Sequence, residues 1–382
     1  MSPRDLTRRT LLKASVATGA VAAVGGGLAL PGAAQAAPSG RFPWIIDCDS
    51  WGGRPPAGPL SHSAIATNKI IVHHMAFPNV TDYSREQGIK LAKDCQNLHM
   101  DKNGWSDTGQ HFTVSRGGYV MEGRHGSLDA LDRADKQMIA AHCPGENGRA
   151  IGIENEGTYV DETPPEALIA SLTKLCVAIA DQYHLSASDI FGHWDFRGTL
   201  CPGAAFYRQF PMLRRRVARE LGTDLCDIPE RRWPDTWRFV GGPTVKVAQY
   251  LLKAQGYSVT PSAVFDAATV AAVQDWQLRN NVPVDIDATL TPATWETLAP
   301  FVGKHDSGLA VEAAQFMLNS KGYADVTATG AYDHTTMKAL QDLQRLHGLP
   351  SNGKIDANTW CVLTGGVVRE SFKRDQYAKD EH

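Results

Sequence analysis

Residues 192–203 read GHWDFRGTLCPG, and the rest of the chain is organised around them. The stretch holds His193 and Cys201, with Thr199 two places before the cysteine. Imidazole and thiolate are the side chains that suit Zn²⁺ best. Pro202 and Gly203 follow at once, so Cys201 sits on a turn. One histidine and one cysteine do not close a zinc site, so a third ligand has to come from elsewhere. The best source is the end of the apolar run Ile70-Ile71-Val72, where His73 and His74 stand side by side. Adjacent side chains on a strand point to opposite faces, so only one of the pair can face a metal.

Working outward, Asn68–His74 reads as a buried strand: short, apolar, β-branched, with polar residues at its end. Ser84-Arg85-Glu86-Gln87 has capping-box spacing. The helix it opens carries Ile89, Ala92, Cys95 and Leu98 on one face and ends near Asn103-Gly104. His111–Ser115 and Tyr119–Glu122 flank Gly117-Gly118, a hairpin by turn chemistry. Ala150–Asn155 is a further strand. Thr163-Pro164-Pro165-Glu166 predicts a helix start with Thr163 as cap, and Pro211 to Gly222 a closing helix. Strands alternating with helices indicate an α/β domain with a central sheet. That places His73, Glu154 and His193 at or just past strand ends.

Four segments in order, IIVHH at 70–74, GWSDTGQHF at 104–112, IGIENEG at 151–157 and GHWDFRGTLCPG, resemble the zinc-dependent N-acetylmuramoyl-L-alanine amidases. That superfamily also holds phage amidases and the animal peptidoglycan recognition proteins. The resemblance covers roughly residues 43–221 and implies a central mixed sheet flanked by helices. It also implies Zn²⁺ held by His73, His193 and Cys201, with His74 the alternative first ligand. Amide hydrolysis needs a group that accepts a proton and returns it to the leaving amine. The resemblance selects Glu154, with Glu156 as runner-up. Thr199 stands where some bacterial members have lysine, and its hydroxyl is expected to steady the developing oxyanion. Gln110 stands where phage and animal members carry a catalytic tyrosine, which shifts weight to Glu154. His142, Asn147 and Trp105 are expected to contact substrate. His111 is either in such a loop or a partner behind a zinc ligand, and Arg124 either holds a stem-peptide carboxylate or forms a surface salt bridge.

The resemblance implies cleavage between N-acetylmuramic acid and L-alanine. Two other readings stay open: a recognition protein that binds peptidoglycan without cutting, and an endopeptidase acting on peptide cross-links. Family members that lack the cysteine ligand only bind; this chain keeps all three ligands.

Beyond 222–240, a Trp-, Pro- and Arg-bearing linker packed at a domain border, the chain repeats itself. Val247–Tyr257 (VAQYLLKAQGY) matches Ala313–Tyr323 (AAQFMLNSKGY), and Thr294-Trp295 matches Thr359-Trp360. Duplication of this kind predicts two small three-helix units, 241–302 and 303–366. They resemble the peptidoglycan-binding repeats attached to wall hydrolases, and as tethers they would raise local substrate concentration. Serving only to stabilise the enzyme is the other reading. Asn352-Gly353 in the second faces Asp285-Ile286-Asp287 in the first, so the first is expected to bind more weakly. Residues 367–382 are read as a charged, frayed tail.

At the other end, Thr7-Arg8-Arg9-Thr10-Leu11-Leu12-Lys13, an Ala/Gly-rich run and Ala34-Gln35-Ala36 have the pattern of a twin-arginine signal peptide over 1–36. The run is short and weakly apolar for a membrane anchor. The expectation is a secreted, cell-wall-associated monomer with no stable membrane insertion after cleavage. A net charge of −3 and no basic stripe exclude nucleic acid as partner. Of seven cysteines, six remain once Cys201 is assigned to metal, enough for three disulfides. Cys95–Cys143 is the favoured pair, since both lie in the amidase-like region, and Cys176 reads equally well as a small core residue.

Overall fold

The computed structural model describes residues 40–238 and 241–373. The expected signal peptide, 1–36, and residues 374–382 lie outside the described residues. Among the described residues no helix is long and apolar enough to cross a membrane.

Six strands build the main sheet: β1 (Ile45–Ile46), β2 (Lys69–His74), β3 (Phe112–Val114), β4 (Val120–Glu122), β5 (Ala150–Asn155) and β6 (Ile190–Gly192). Their order is β1-β4-β3-β5-β2-β6. β3, β5, β2 and β6 run parallel, while β4 turns back on β3 through the expected hairpin. The sheet is therefore mixed. Every residue of β2 is buried, as a central parallel strand requires.

The flanking helices are α1 (Cys48–Trp51), α2 (Arg85–Asn97), α3 (Ser127–Arg133), α4 (Glu166–Tyr183), α5 (Ala204–Tyr207) and α6 (Phe210–Glu220). Leu168, Leu172, Leu175 and Ile179 of α4, with Leu213 and Val217 of α6, cover Ile70, Val72, Ile151 and Ile153 on one face. Alternation sends Lys69, Ile71 and His73 to the other face, beside Gly152 and Glu154.

Local chemistry explains two departures from expectation. Ser84 does cap α2, its Oγ accepting from the Gln87 amide at 3.1 Å. However, the buried face uses Leu91, Ala92 and Cys95, and Leu98 is exposed. A wider π turn over Leu98–Lys102 carries it outward. α4 is capped by Pro165, not Thr163. A residue before proline is pushed to extended backbone, which keeps Thr163 and Pro164 out of the helix, and Pro165 is itself extended at ψ 152°.

The expected disulfides do not form: all seven cysteines are free thiols. Cys95 lies against Gln110 Nε2 at 3.3 Å, whereas Cys143 is packed with Ile71 and Ala150. The favoured pair thus sits in two different packing environments. Burial pushes both thiols up to about 12. Cys176 is a fully buried residue of α4.

The repeats are helical triplets: α7 (Pro243–Ala254), α8 (Ala267–Arg279) and α9 (Pro292–Leu298), then α10 (Leu309–Ser320), α11 (His334–Leu346) and α12 (Ala357–Leu363). The duplication extends to single hydrogen bonds. Gln249 Nε2 donates to Val264 O and Thr269 Oγ1, and Gln315 Nε2 to Ala331 O and Thr336 Oγ1.

These units are built onto the sheet domain. In the linker, Asp235 meets Lys69 at 3.1 Å, Arg149 at 3.3 Å and Arg232 at 3.0 Å. β7 (Arg231–Arg232) pairs antiparallel with β8 (Val367–Val368). Leu346, Val367 and Phe372 enter the core under α4 and α6. Residues 367–373, expected in a frayed tail, are thus structural, because Val367, Val368 and Phe372 are apolar and find a core to fill.

Candidate metal centre

β2 delivers His73 to the face opposite α4 and α6. His74 points the other way, and its Nδ1 accepts from the Tyr159 amide at 3.1 Å. β6 ends at Gly192, and a short 3₁₀ turn, His193–Asp195, begins there. Asp195 Oδ2 accepts from the Gly192 amide at 2.8 Å and closes that turn. The loop then returns to Cys201, whose Sγ accepts from the His74 amide at 3.3 Å. Gly203 has φ +96°, and a Cβ there would lie 2.1 Å from Tyr159 O, so only glycine lets the loop pass.

One donor atom each from His73, His193 and Cys201 lies within 4.8 Å of the others, close enough to share a metal ion. His73 Nδ1 stands 3.7 Å from Cys201 Sγ, and the two imidazole centroids are 4.5 Å apart. The donor set fits a metal. His193 Nε2 is buried with no hydrogen-bond partner, as is Glu154 Oε2. Unpaired buried polar atoms cost about 1–3 kcal/mol each, so their concentration here calls for a ligand.

The electrostatics agree. Burial, then its histidine neighbours, holds His73 well below the usual imidazole range. Burial, with Arg197 and His74 adding to it, lowers His193 to about 4. Both rings are neutral donors at neutral pH. Burial and the nearby Glu154 push the Cys201 thiol well above its ordinary value. A bound cation reverses that preference, since coordination stabilises the thiolate.

Glu154 Oε1 lies 3.8 Å from His73 Nδ1, and burial raises its carboxyl well above the usual range. Glu156 is spent elsewhere, accepting from Gln87 Nε2 at 2.8 Å and the Arg116 amide at 2.7 Å. Thr199 is half-buried; its Oγ1 accepts from the Cys201 amide at 3.2 Å and keeps its own proton for donation. Trp105 is partly exposed and lies against the His99 ring, 4.7 Å between centroids.

The other expected contacts turn inward. Asn147 Oδ1 accepts from the amides of His142 and Cys143, which braces its own loop. His142, expected to touch substrate, is buried with both ring nitrogens engaged, one on His73 and one on Ala150 O. His111 bonds Met138 O and the Gly152 amide, not a ligand. Arg124 is buried on Thr108 O, neither a surface ion pair nor a free cation. Gln110 bonds Thr113 Oγ1 at 2.8 Å. Two participants had no sequence signal. Gly152 looks like any strand glycine, and Lys321 of the second repeat reaches Trp194 O at 3.3 Å inside the metal loop.

Parts of the chain are similar to known families. Residues 63–204 match the model of the N-acetylmuramoyl-L-alanine amidase family. Residues 241–298 and 307–363 each match a peptidoglycan binding domain. Peptidoglycan-recognition protein LB of Drosophila melanogaster is 27% identical over 43% of this chain and 66% of its own length. An N-acetylmuramoyl-L-alanine amidase of Sus scrofa is 27% identical over 48% of this chain and 30% of its own length. The chain therefore spans less than two thirds of either relative. The solved structure of N-acetylmuramoyl-L-alanine amidase LysC from Clostridium intestinale is 26% identical, covering 47% of this chain and 98% of that one, with a TM-score of 0.35. Over residues 63–204 this chain is thus similar to the N-acetylmuramoyl-L-alanine amidases and peptidoglycan-recognition proteins, and the two segments that follow are similar to peptidoglycan binding domains.

Proposed function

We propose that the chain is an exported zinc amidohydrolase that cuts the amide between N-acetylmuramic acid and L-alanine in peptidoglycan. One observation carries this reading: three metal-binding side chains within 4.8 Å of one another, beside a buried carboxylate with an unpaired oxygen. A protein that only bound its ligand would gain nothing from a raised, unpaired carboxyl next to a metal site.

His73, His193 and Cys201 would hold the ion. Bound zinc supplies Lewis acidity, which lowers the pKa of water and polarises the amide carbonyl. Glu154 takes a proton from the attacking water and returns it to the leaving amine nitrogen. The Thr199 hydroxyl donates to the carbonyl oxygen as negative charge builds there. Trp105, and the loop that Asn147 braces, would contact the muropeptide. The repeats hold the enzyme at the wall, and the twin-arginine segment sends the protein out as a secreted monomer.

Purified full-length protein should release new L-alanine amino termini from cell wall, and a chelator should abolish release until zinc is restored. Release that survives metal removal defeats the zinc mechanism. Binding without release leaves the recognition reading. Mass spectrometry of the products separates amidase from endopeptidase cleavage.

A further inference from the structure

We propose that His142 is a positioning residue for the metal centre: it holds His73 in the one tautomer that turns an unprotonated Nδ1 toward His193 and Cys201. The inference rests on the metal-site reading above. It assigns His142 a role different from the substrate contact expected of it.

The tautomer follows from the partners, starting at a backbone carbonyl. Ala150 O can only accept, so the nitrogen that faces it at 3.3 Å, His142 Nε2, carries the proton. His142 Nδ1 is then a bare acceptor. It faces His73 Nε2 at 3.0 Å, so His73 carries its proton on Nε2. Nδ1 of His73 is left with its lone pair. That nitrogen is the one 3.7 Å from Cys201 Sγ. A metal-binding histidine generally donates its other N–H to an acceptor that sets ring orientation and basicity. Here that acceptor is a second imidazole, anchored on the same strand, β5, that carries Glu154.

The ring has a built seat. A Cβ on Gly152 would fall 2.4–2.6 Å from His142 Cγ, Cδ2 and Nδ1, so the mid-strand glycine leaves the space that the imidazole fills. Asn147 Oδ1 holds the His142 amide at 2.9 Å. The His111 ring closes the far side edge-on, 5.6 Å away, and its own nitrogens are fixed on Met138 O and the Gly152 amide. The small residue at 152, the amide at 147 and the two histidines thus serve one hydrogen bond to His73.

The test uses the full chain, histidine-labelled with ¹⁵N and free of metal, and reads ring tautomers from long-range ¹H–¹⁵N spectra. Wild type should show His73 protonated on Nε2. His142→Asn, whose Oδ1 can still accept, should keep that tautomer and a zinc dissociation constant near wild type. His142→Leu, with no acceptor, should mix the tautomers and weaken zinc roughly 10–100-fold in a competition titration against a chromophoric chelator. Unchanged affinity in His142→Leu, or equal losses in both variants, overturns the assignment. Should His142→Leu fail to fold, the wild-type spectrum still decides, because His73 protonated on Nδ1 refutes the proposal. Neither readout depends on turnover. A chain with this tautomer and zinc affinity that cuts nothing would refute the amidase reading alone.

Discussion

Glu154 and His73 are register partners on the parallel strands β5 and β2, and the Glu154 carboxylate stands 3.8 Å from Nδ1 of His73. Partners in a sheet send their side chains to the same face. The candidate proton carrier and the first ligand are therefore placed by backbone hydrogen bonds, not by a mobile loop. Burial keeps the carboxyl basic enough to take a proton.

Glu154→Gln should keep full metal content and lower kcat on soluble muropeptides by about 10²–10⁴-fold, the usual worth of a positioned acid–base group. Glu156→Gln should leave kcat nearly unchanged and act on stability, because its carboxylate braces Gln87 and Arg116. The reverse pattern would move the base to Glu156. Metal analysis with product assays reads both.

Cys201→Ala should abolish stoichiometric zinc binding, since two imidazoles alone make a weak site. For the wild type, zinc added to metal-free protein should raise Tm in proportion to the logarithm of free metal, as binding to the folded state alone requires. A Tm indifferent to zinc would contradict a preformed site.

The second repeat should not behave as a detachable tether. Phe372 is fully buried in the core under α4 and α6, and its truncation to Ala should cost about 3–5 kcal/mol. Lys321 and Asp195 are both buried, 3.9 Å apart, next to His193. Lys321→Met removes the cation beside Asp195, which keeps its bonds from Tyr207 Oη and the Gly192 amide, and should cost about 1–3 kcal/mol. Deleting 241–373 should therefore lower activity on soluble muropeptides along with activity on wall. Denaturant melts and assays on both substrates check this; full retention on soluble substrate would show the contacts to be dispensable.

Acid should weaken the fold before carboxylates of ordinary pKa titrate. Burial, with Arg124 adding to it, lowers His99 to about 4; burial also lowers His111 to about 4, despite its bond to Met138 O. Both bind fewer protons when folded than when unfolded near pH 6.5. Their contribution is thus complete above about pH 6.5 and lost as pH falls toward about 4. Denaturation midpoints of metal-free protein should drop across that window, and His99→Asn should flatten the slope. A flat profile to pH about 4.5 would contradict the burial argument.

The sequence alone determined the elements and their chemistry. β-branched apolar runs ending in His73 and Asn155 are strands wherever a core is available, and α2 opens at Ser84 because a hydroxyl there can cap it. The duplicated Gln, Thr and Trp positions made two triplets, since each repeat rebuilds the same local hydrogen bonds. Ligand types were legible too, because imidazole and thiolate bind soft cations in any fold.

What only the tertiary structure decided depends on which distant atoms meet. Cys95 and Cys143 looked available for a disulfide until packing gave them different neighbours. Val367 and Phe372 looked like a tail until a core formed for them. The resemblance favoured Glu154 over Glu156, and only the fold shows that Glu154 keeps an unpaired oxygen while Glu156 is engaged by Gln87 and Arg116. His142 read as a substrate contact until the fold set its ring against Gly152 and Ala150 O. Propensity acts over a few neighbouring residues, whereas burial and hydrogen-bond partnership are properties of positions in space.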